Sequence, residues 1–378
     1  MATSDKLNKL LETKAAIRNA IIDKGVDVEE DVVFADYPSK ISAIQSGGNG
    51  PDYSIVYLAK TKDGTTYKEL FSNYDWLTTL DLNGWDTSNV TDMYRMFSGC
   101  NSLVSINGLN DFDTSNVTNM KNMFSYCKNI TSIDVSNFNT SNVTDMASMF
   151  DHCTNLASLD VSNFNTSNVT DMSYMFNWCN NLTSLDVSNF DTSNVTNMYN
   201  MFQYCNNLTT LDVSNWDTSN VTDMYGMFAY CNLLTSVGDL SDWKTSNVTN
   251  MSSMFNNCYK LTTVGDLSGW KTSNVTNMGN MFGGCYVLEE LDIRNFDMTN
   301  VTRTTYMFVN CRCLHTLRLD NCSYDSINKI ITSEGFPTYT ITGVIRKIFI
   351  DPNNRGDLTP PTNWIFVDKD TGEEIVIE

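Results

Sequence analysis

One triplet recurs along this chain and dictates its architecture. Asn-Val-Thr begins at Asn89, Asn116, Asn142, Asn168, Asn194, Asn220, Asn247, Asn274 and Asn300. Cysteine keeps the same step, at Cys100, Cys127, Cys153, Cys179, Cys205, Cys231, Cys258, Cys285 and Cys311, with 26 or 27 residues between neighbours. A fixed period repeated nine times means a stacked array. One unit cannot bury its own apolar face, whereas stacked units share a continuous core. A full unit reads LTSLDVSNFDTSNVTNMYNMFQYCNN, from Leu182 to Asn207.

Each unit must hold a strand and a return path. In LTSLDV, Leu185 and Val187 alternate with Ser184, Asp186 and Ser188, the period of a strand. The segment SNFDTSN is rich in turn-formers. Val195, Met198, Met201, Phe202 and Cys205 follow a three-four spacing, which predicts one or two helical turns capped by Thr-Ser-Asn. Successive strands would pair as a parallel sheet roughly 4.8 Å apart, placing like residues on like. The core is then a set of ladders. One runs Trp85, Phe112, Phe138, Phe164, Phe190, Trp216, Trp243, Trp270, Phe296; another runs from Phe97 to Phe308. Two methionine ladders take 17 of the 19 methionines, with Thr304 the one break. The three 27-residue units each carry a glycine beside the exposed strand position, Gly108, Gly238 and Gly265, as a one-residue bulge requires.

The pattern LDVSNFDTSNVTDMxxMFxxC resembles the BspA-like leucine-rich repeats of bacterial surface proteins, over residues 77 to about 320. That resemblance implies a right-handed leucine-rich-repeat solenoid and a role in adhesion or surface recognition, without a particular ligand. The expected fold is thus an α/β repeat solenoid with a parallel strand ladder and short helical turns.

The flanks differ from the repeats. Residues 1–46 read as a helical module in which Leu7, Leu10, Lys14, Ile17 and Ile21 form one amphipathic seam, a candidate for attachment or self-association, ended by Gly25. The stretch LLETKAAIRNAIIDKGVDVEEDVVFADYPSKISAI resembles a short module of phage virion structural proteins and tail or head fibres. It implies docking to a virion protein. Residues 47–75 read as a linker and a capping hairpin (YSIVYLAK, TKDG, TTYKEL), 76–322 as the solenoid, and 323–378 as a β-rich C-terminal cap that shields the last coil.

Net charge is −20. That argues against nucleic acid or an anionic membrane as a partner. No apolar run is long enough to cross a membrane, and the N-terminus lacks a signal-peptide pattern. No catalytic residues and no cofactor are expected: His152 and His315, the two histidines, stand six units apart. The cysteines have three readings: a reduced buried ladder, disulfides between neighbouring coils, or a metal site at Cys311, Cys313, His315 and Cys322. Periodicity favours the reduced ladder and no metal. The Asn-Val-Thr triplets are formal glycosylation sequons, but their periodicity favours an internal hydrogen-bonded ladder. Asp81, Asp134, Asp160, Asp186, Asp212, Asp239, Asp266 and Asp292 form a row that is either architectural or binds cations or a basic partner.

Function must lie where the copies differ. The residue before each cysteine reads Gly99, Tyr126, His152, Trp178, Tyr204, Tyr230, Asn257, Gly284, Asn310. Five consecutive coils carry a ring there. Either Tyr126, His152, Trp178, Tyr204 and Tyr230 form a ligand ridge, or they pack across coil boundaries and stiffen the rod. The leading expectation is a virion-associated phage fibre or decoration protein whose solenoid recognises a host-surface glycan or protein. The alternatives are a bacterial BspA-like surface adhesin and a purely structural virion component.

Overall fold

The computed structural model describes residues 55–56 and 66–376. The expected N-terminal helix, with Leu7, Leu10, Ile17 and Ile21, lies outside the described residues. Three parallel sheets run along one side of the array. The first holds β1 (Ile55–Val56), β2 (Thr79–Asp81) and β3 (Ser105–Asn107); the second holds β4 (Ser132–Ile133) and β5 (Ser158–Leu159). The third holds β6 (Glu290–Asp292), β7 (Thr316–Arg318), β8 (Arg346–Ile350) and β9 (Trp364–Asp368). Register follows the repeat, with Leu80 opposite Ile106 and Ile133 opposite Leu159.

Two expectations need correction. The strand ladder thins in the central coils, where the single bridge Thr210↔Ser236 stands between β5 and β6. Exposed Ser and Thr flank this segment, and single amides still cross between coils there, as Thr235 N does to Thr209 O at 2.9 Å and Val213 N to Val237 O at 3.1 Å. The expected helical turns are also absent: the Met-Met-Phe-Cys segments are tight turns, and the one α-helix among the described residues is α1 (Tyr324–Ile331) in the C-terminal cap.

The reason is a second ladder that holds the coils together. In the coil at Met198, alternate amides cross to the next coil: Met198 N to Asp223 O, Asn200 N to Tyr225 O, Phe202 N to Met227 O and Tyr204 N to Ala229 O, at 2.8–3.1 Å. The amides between them close local turns, Met201 N to Met198 O, Gln203 N to Asn200 O and Cys205 N to Phe202 O. A helix would spend every donor on its own i−4 carbonyl and leave none for the neighbouring coil. Alternation satisfies both. Parallel bridges through Asp92, Asn119, Asp145, Asp171, Asn197, Asp223, Asn250, Asn277 and Arg303 mark this ladder along the array.

The geometry has a cost at two positions per coil. Asn200 and Tyr204 have φ of 53° and 61°, and their counterparts share it. Each is the third residue of a turn whose conformation there is left-handed, the type II pattern that suits Gly or Asn. The three extra-residue glycines are left-handed as well; a Cβ on Gly108 would meet Asn83 N at 2.5 Å.

Inside, the ladders stand as the repeat implies. Phe71, Phe97 and their successors to Phe308 stack face to face at 5.3–5.9 Å with planes within 14°. The Met and Cys rows are fully buried, and Trp216, Trp243 and Trp270 each donate Nε1–H to a carbonyl of the preceding coil. Every ladder cysteine is a free thiol donating to the Phe carbonyl one coil back, as Cys205 Sγ does to Phe176 O at 3.1 Å.

The ends are closed by extensions of the same pattern. Most of the expected 47–75 linker and hairpin lies outside the described residues; those described, 55–56 and 66–75, form a partial coil. Ile55–Val56 pairs in parallel with Thr79–Leu80, and Tyr67, Glu69, Phe71 and Asn73 donate across to the next coil. Phe71 lacks a Met-Met unit but continues the aromatic stack, so the edge is covered by imitation of a coil. At the other end Phe336 lies edge-on to Phe308 and ends the stack. Arg346 is buried and its guanidinium donates to Pro337 O and Arg312 O, which fastens the cap to the last coil.

Phe202 sits between Phe176 and Phe228 at 5.5 and 5.8 Å with no exposed surface. Phe202→Ala should cost about 3–5 kcal/mol, read by urea unfolding. A loss below about 1 kcal/mol would mean that the stack adds little beyond local contact.

Candidate functional site

The two positive-φ rows lie on the turn face and carry the variable side chains. The row before the cysteines is left-handed throughout: Asn73, Gly99, Tyr126, His152, Trp178, Tyr204, Tyr230, Asn257, Gly284 and Asn310 have φ between 57° and 79°. At both ends the chain uses the residues that this conformation favours. In the five middle coils it uses rings, for which a left-handed backbone costs about 1–2 kcal/mol each. The recurrence of Gly and Asn at an otherwise aromatic position was the sequence signal for this turn, and helical periodicity obscured it.

The structure brings all five expected ridge residues together as one column. Tyr126 and His152 stack at 4.2 Å, His152 and Trp178 at 5.4 Å, Trp178 and Tyr204 at 4.0 Å, Tyr204 and Tyr230 at 4.3 Å. Each ring therefore occupies its neighbour's faces. What the column leaves free is ring edges, so a sugar cannot lie flat on the interior rings. Tyr126 is 40% exposed and the other four are half-buried.

The sequence also shows variable tyrosines past the first methionine of a unit, Tyr94, Tyr174, Tyr199 and Tyr225, but sequence reasoning missed Tyr259 and Tyr286. Tyr259 and Tyr286, one place past their cysteines, stack at 4.7 Å, and the Tyr259 phenol is pushed up by burial and by Tyr286 and Tyr230 beside it. Lys128 lies over Tyr126 and Arg312 over Tyr286, at 5.5 and 4.8 Å from the ring centres. A parallel column holds Tyr174, Tyr199 and Tyr225, with centroids 5.1 and 4.7 Å apart. Burial first, then Tyr174, pushes the Tyr199 phenol up to about 12.

His152 is anchored from beneath. Its Nδ1 lies 2.7 Å from Asp151 Oδ1, and that buried carboxylate also accepts from Asn177 Nδ2 at 2.8 Å. The arrangement sets the ring's orientation in the column.

The aspartate row is architectural in its contacts. Each carboxylate accepts from the amide two residues on, as Asp186 does from Ser188 N at 2.9 Å, an Asx turn. The Ser188 hydroxyl and amide hold the Asp186 carboxyl below its usual value, and the same holds at Asp160 and Asp212. From Asn116 to Asn300 the Asn of each Asn-Val-Thr donates Nδ2–H to a carbonyl one coil back, as Asn194 does to Ser167 O at 2.8 Å. Among the described residues no three His, Cys, Asp or Glu side chains gather at metal-binding range, and Cys311 is part of the buried thiol ladder. No helix among them is long and apolar enough to cross a membrane.

With this geometry in view, comparison with known proteins places the repeats. A family described as "Mycoplasma protein of unknown function, DUF285" matches residues 65–182, 152–263 and 234–330. The chain belongs to this family. The DUF285 segments overlap and together cover the array of turns, including the partial first coil and all but the last residue of α1. Nothing matches among curated proteins. Solved structures similar to this chain include a leucine rich cell surface protein from Faecalibacterium prausnitzii A2-165, 16% identical over 71% of this chain and 74% of that one, TM-score 0.32. Another is a leucine-rich repeat protein from Bacteroides ovatus ATCC 8483, 12% identical over 80% and 86%, TM-score 0.27. A third is an LRR protein from Leptospira interrogans, 11% identical over 75% and 87%, TM-score 0.25.

Two measurements test the DUF285 turn face and core. Burial pushes the Cys100, Cys258 and Cys311 thiols up to about 12, while Cys313 is only half-buried. Native protein should therefore expose one of its 11 thiols to DTNB, and all of them after denaturation; two or more reacting in the native state would contradict the ladder. The raised phenols give a pH dependence. Tyr199 ionises near 10 when unfolded and about 12 when folded, so its contribution is intact below pH 10 and is lost as pH rises towards 12. Melting temperature should fall across that interval, and less steeply in Tyr199→Phe.

Proposed function

We propose that this protein is a surface recognition protein that works by binding rather than by catalysis, with the aromatic column and its tyrosine flank as the contact surface. The observation that carries the reading is the placement of five rings at left-handed positions. Gly99, Asn257, Gly284 and Asn310 hold the same backbone conformation without a ring. The fold does not require the rings. Ring stacking returns about 0.5–1.5 kcal/mol per pair, which roughly offsets the backbone cost and leaves no stability motive for five in succession. Backbone cost retained at a partly exposed, aromatic, contiguous surface is the mark of a contact site.

Of the settings expected from sequence, display at a bacterial surface as a BspA-like adhesin is preferred to a virion fibre. The adhesin reading rests on the repeats, which fill the array. The virion reading, with docking to a virion protein through 1–46, rests on residues outside the described ones. The partner is a molecule on another surface, a glycan or a protein, and self-association through Leu7, Leu10, Ile17 and Ile21 remains part of the proposal for the N-terminal module.

The test is binding of labelled full-length protein to panels of bacterial and animal cells. Trp178→Asn with Tyr204→Asn places a left-handed-tolerant residue at both sites. Binding should fall by about tenfold or more while the melting temperature stays the same or rises. Undiminished binding by the double variant would remove the column from the account.

A further inference from the structure

We infer that the ligand of this surface is an uncharged, polyhydroxylated chain, a neutral polysaccharide lying along the central coils. The inference rests on the reading of the column as a contact surface and goes further by naming the ligand's chemistry.

Charge is the first observation. The chain carries −20 overall, yet the turn-to-strand faces of three successive coils, residues 172–185, 198–211 and 224–238, contain no Asp, Glu, Lys or Arg. Carboxylates border these stretches in the same coils, Asp171 and Asp223 before and Asp186, Asp212 and Asp239 after, and Asp223 lies near enough to act on the Tyr199 phenol. No Lys or Arg stands between Lys128 and Lys244. An anionic ligand therefore finds no cation along this face and meets carboxylates at its margins, which selects against anionic partners.

The polar groups are the second observation. The face is built from amides and hydroxyls: Asn181, Asn207 and Thr209 exposed, with Gln203 and the phenols of Tyr204 and Tyr230 half-buried beside them. Amides offer paired donors and acceptors, and a phenol offers one of each, the complement of a run of neutral hydroxyls. The same groups recur once per coil, so a ligand of repeating units meets the same set at each step.

The third observation separates a polysaccharide from a protein. A protein interface centres on buried apolar groups. Of the large apolar side chains exposed on the described surface, only Leu233 falls within these three stretches. The rings present edges, since their faces are taken by one another. Edge-on phenols at a polar surface hydrogen-bond; they do not supply an apolar anchor.

The experiment is an array of neutral polysaccharides (dextran, mannan, xyloglucan) and anionic ones (alginate, heparin) probed with full-length protein at low and high salt. Binding to a neutral polysaccharide is expected, insensitive to salt because no ion pair is screened. Tyr204→Asn with Tyr230→Asn should weaken it by about tenfold or more, and Lys128→Ala with Arg312→Ala should leave it unchanged. Cells bound by the protein should lose binding after periodate oxidation of their glycans and keep it after protease treatment. Binding confined to anionic polysaccharides, loss with Lys128→Ala and Arg312→Ala, or cell binding abolished by protease overturns the neutral-glycan inference and leaves the column as a contact surface. Cell binding indifferent to the column variants removes both.

Discussion

The alternation of backbone hydrogen bonds at the turn face is the constraint on which the structure depends. Every second amide from Met198 to Tyr204 reaches into the next coil, and the amides between them close turns within their own coil. That pattern needs a left-handed residue at two places per coil, and it recurs wherever the coil recurs. The buried Phe, Met and Cys ladders follow from it, because it fixes which residues stand above which. Stacked Phe rings within 14° of parallel are the packing consequence of a coil that repeats without rotating its side chains.

The same constraint divides core from function. Positions whose amides and side chains are spoken for are uniform: the Asn that donates to the coil behind, the Asp that forms an Asx turn, the Cys that donates to a Phe carbonyl. The left-handed row is fixed in backbone but free in side chain. It faces outward, and Gly or Asn would serve the fold. A repeat protein can therefore vary this row without disturbing its neighbours, which is how a nearly invariant array acquires a local surface of its own.

Much of this was legible in the sequence. The period, the ladders, the inward cysteines and the Asn ladder follow from like stacking on like, and the five ridge residues were found because they vary where everything else repeats. Three features were not legible. The three-four spacing of Val195, Met198, Met201 and Phe202 fits a helix, and only the crossing amides show that the segment is a chain of turns. The strand segment reads well in every unit, yet the central coils make one bridge there, because the other ladder already sets the spacing. The segment before Trp76 has the alternation of a hairpin, but parallel pairing of Ile55–Val56 follows from the need to cover a parallel edge. The stacking of the column was foreseen as one of two alternatives. Its exclusion of flat sugar stacking needed the ring planes.

The central claim is that the five rings are dispensable to the fold and are kept for contact. Equilibrium unfolding of a variant with Asn at positions 126, 152, 178, 204 and 230 tests it most directly. The account predicts a folded solenoid whose midpoint lies at or above that of the parent chain, since relief of the left-handed backbone at five sites roughly offsets four lost stacking contacts. A variant that fails to fold, or that unfolds with several kcal/mol less stability, would show that the column is part of the core and contradict the account.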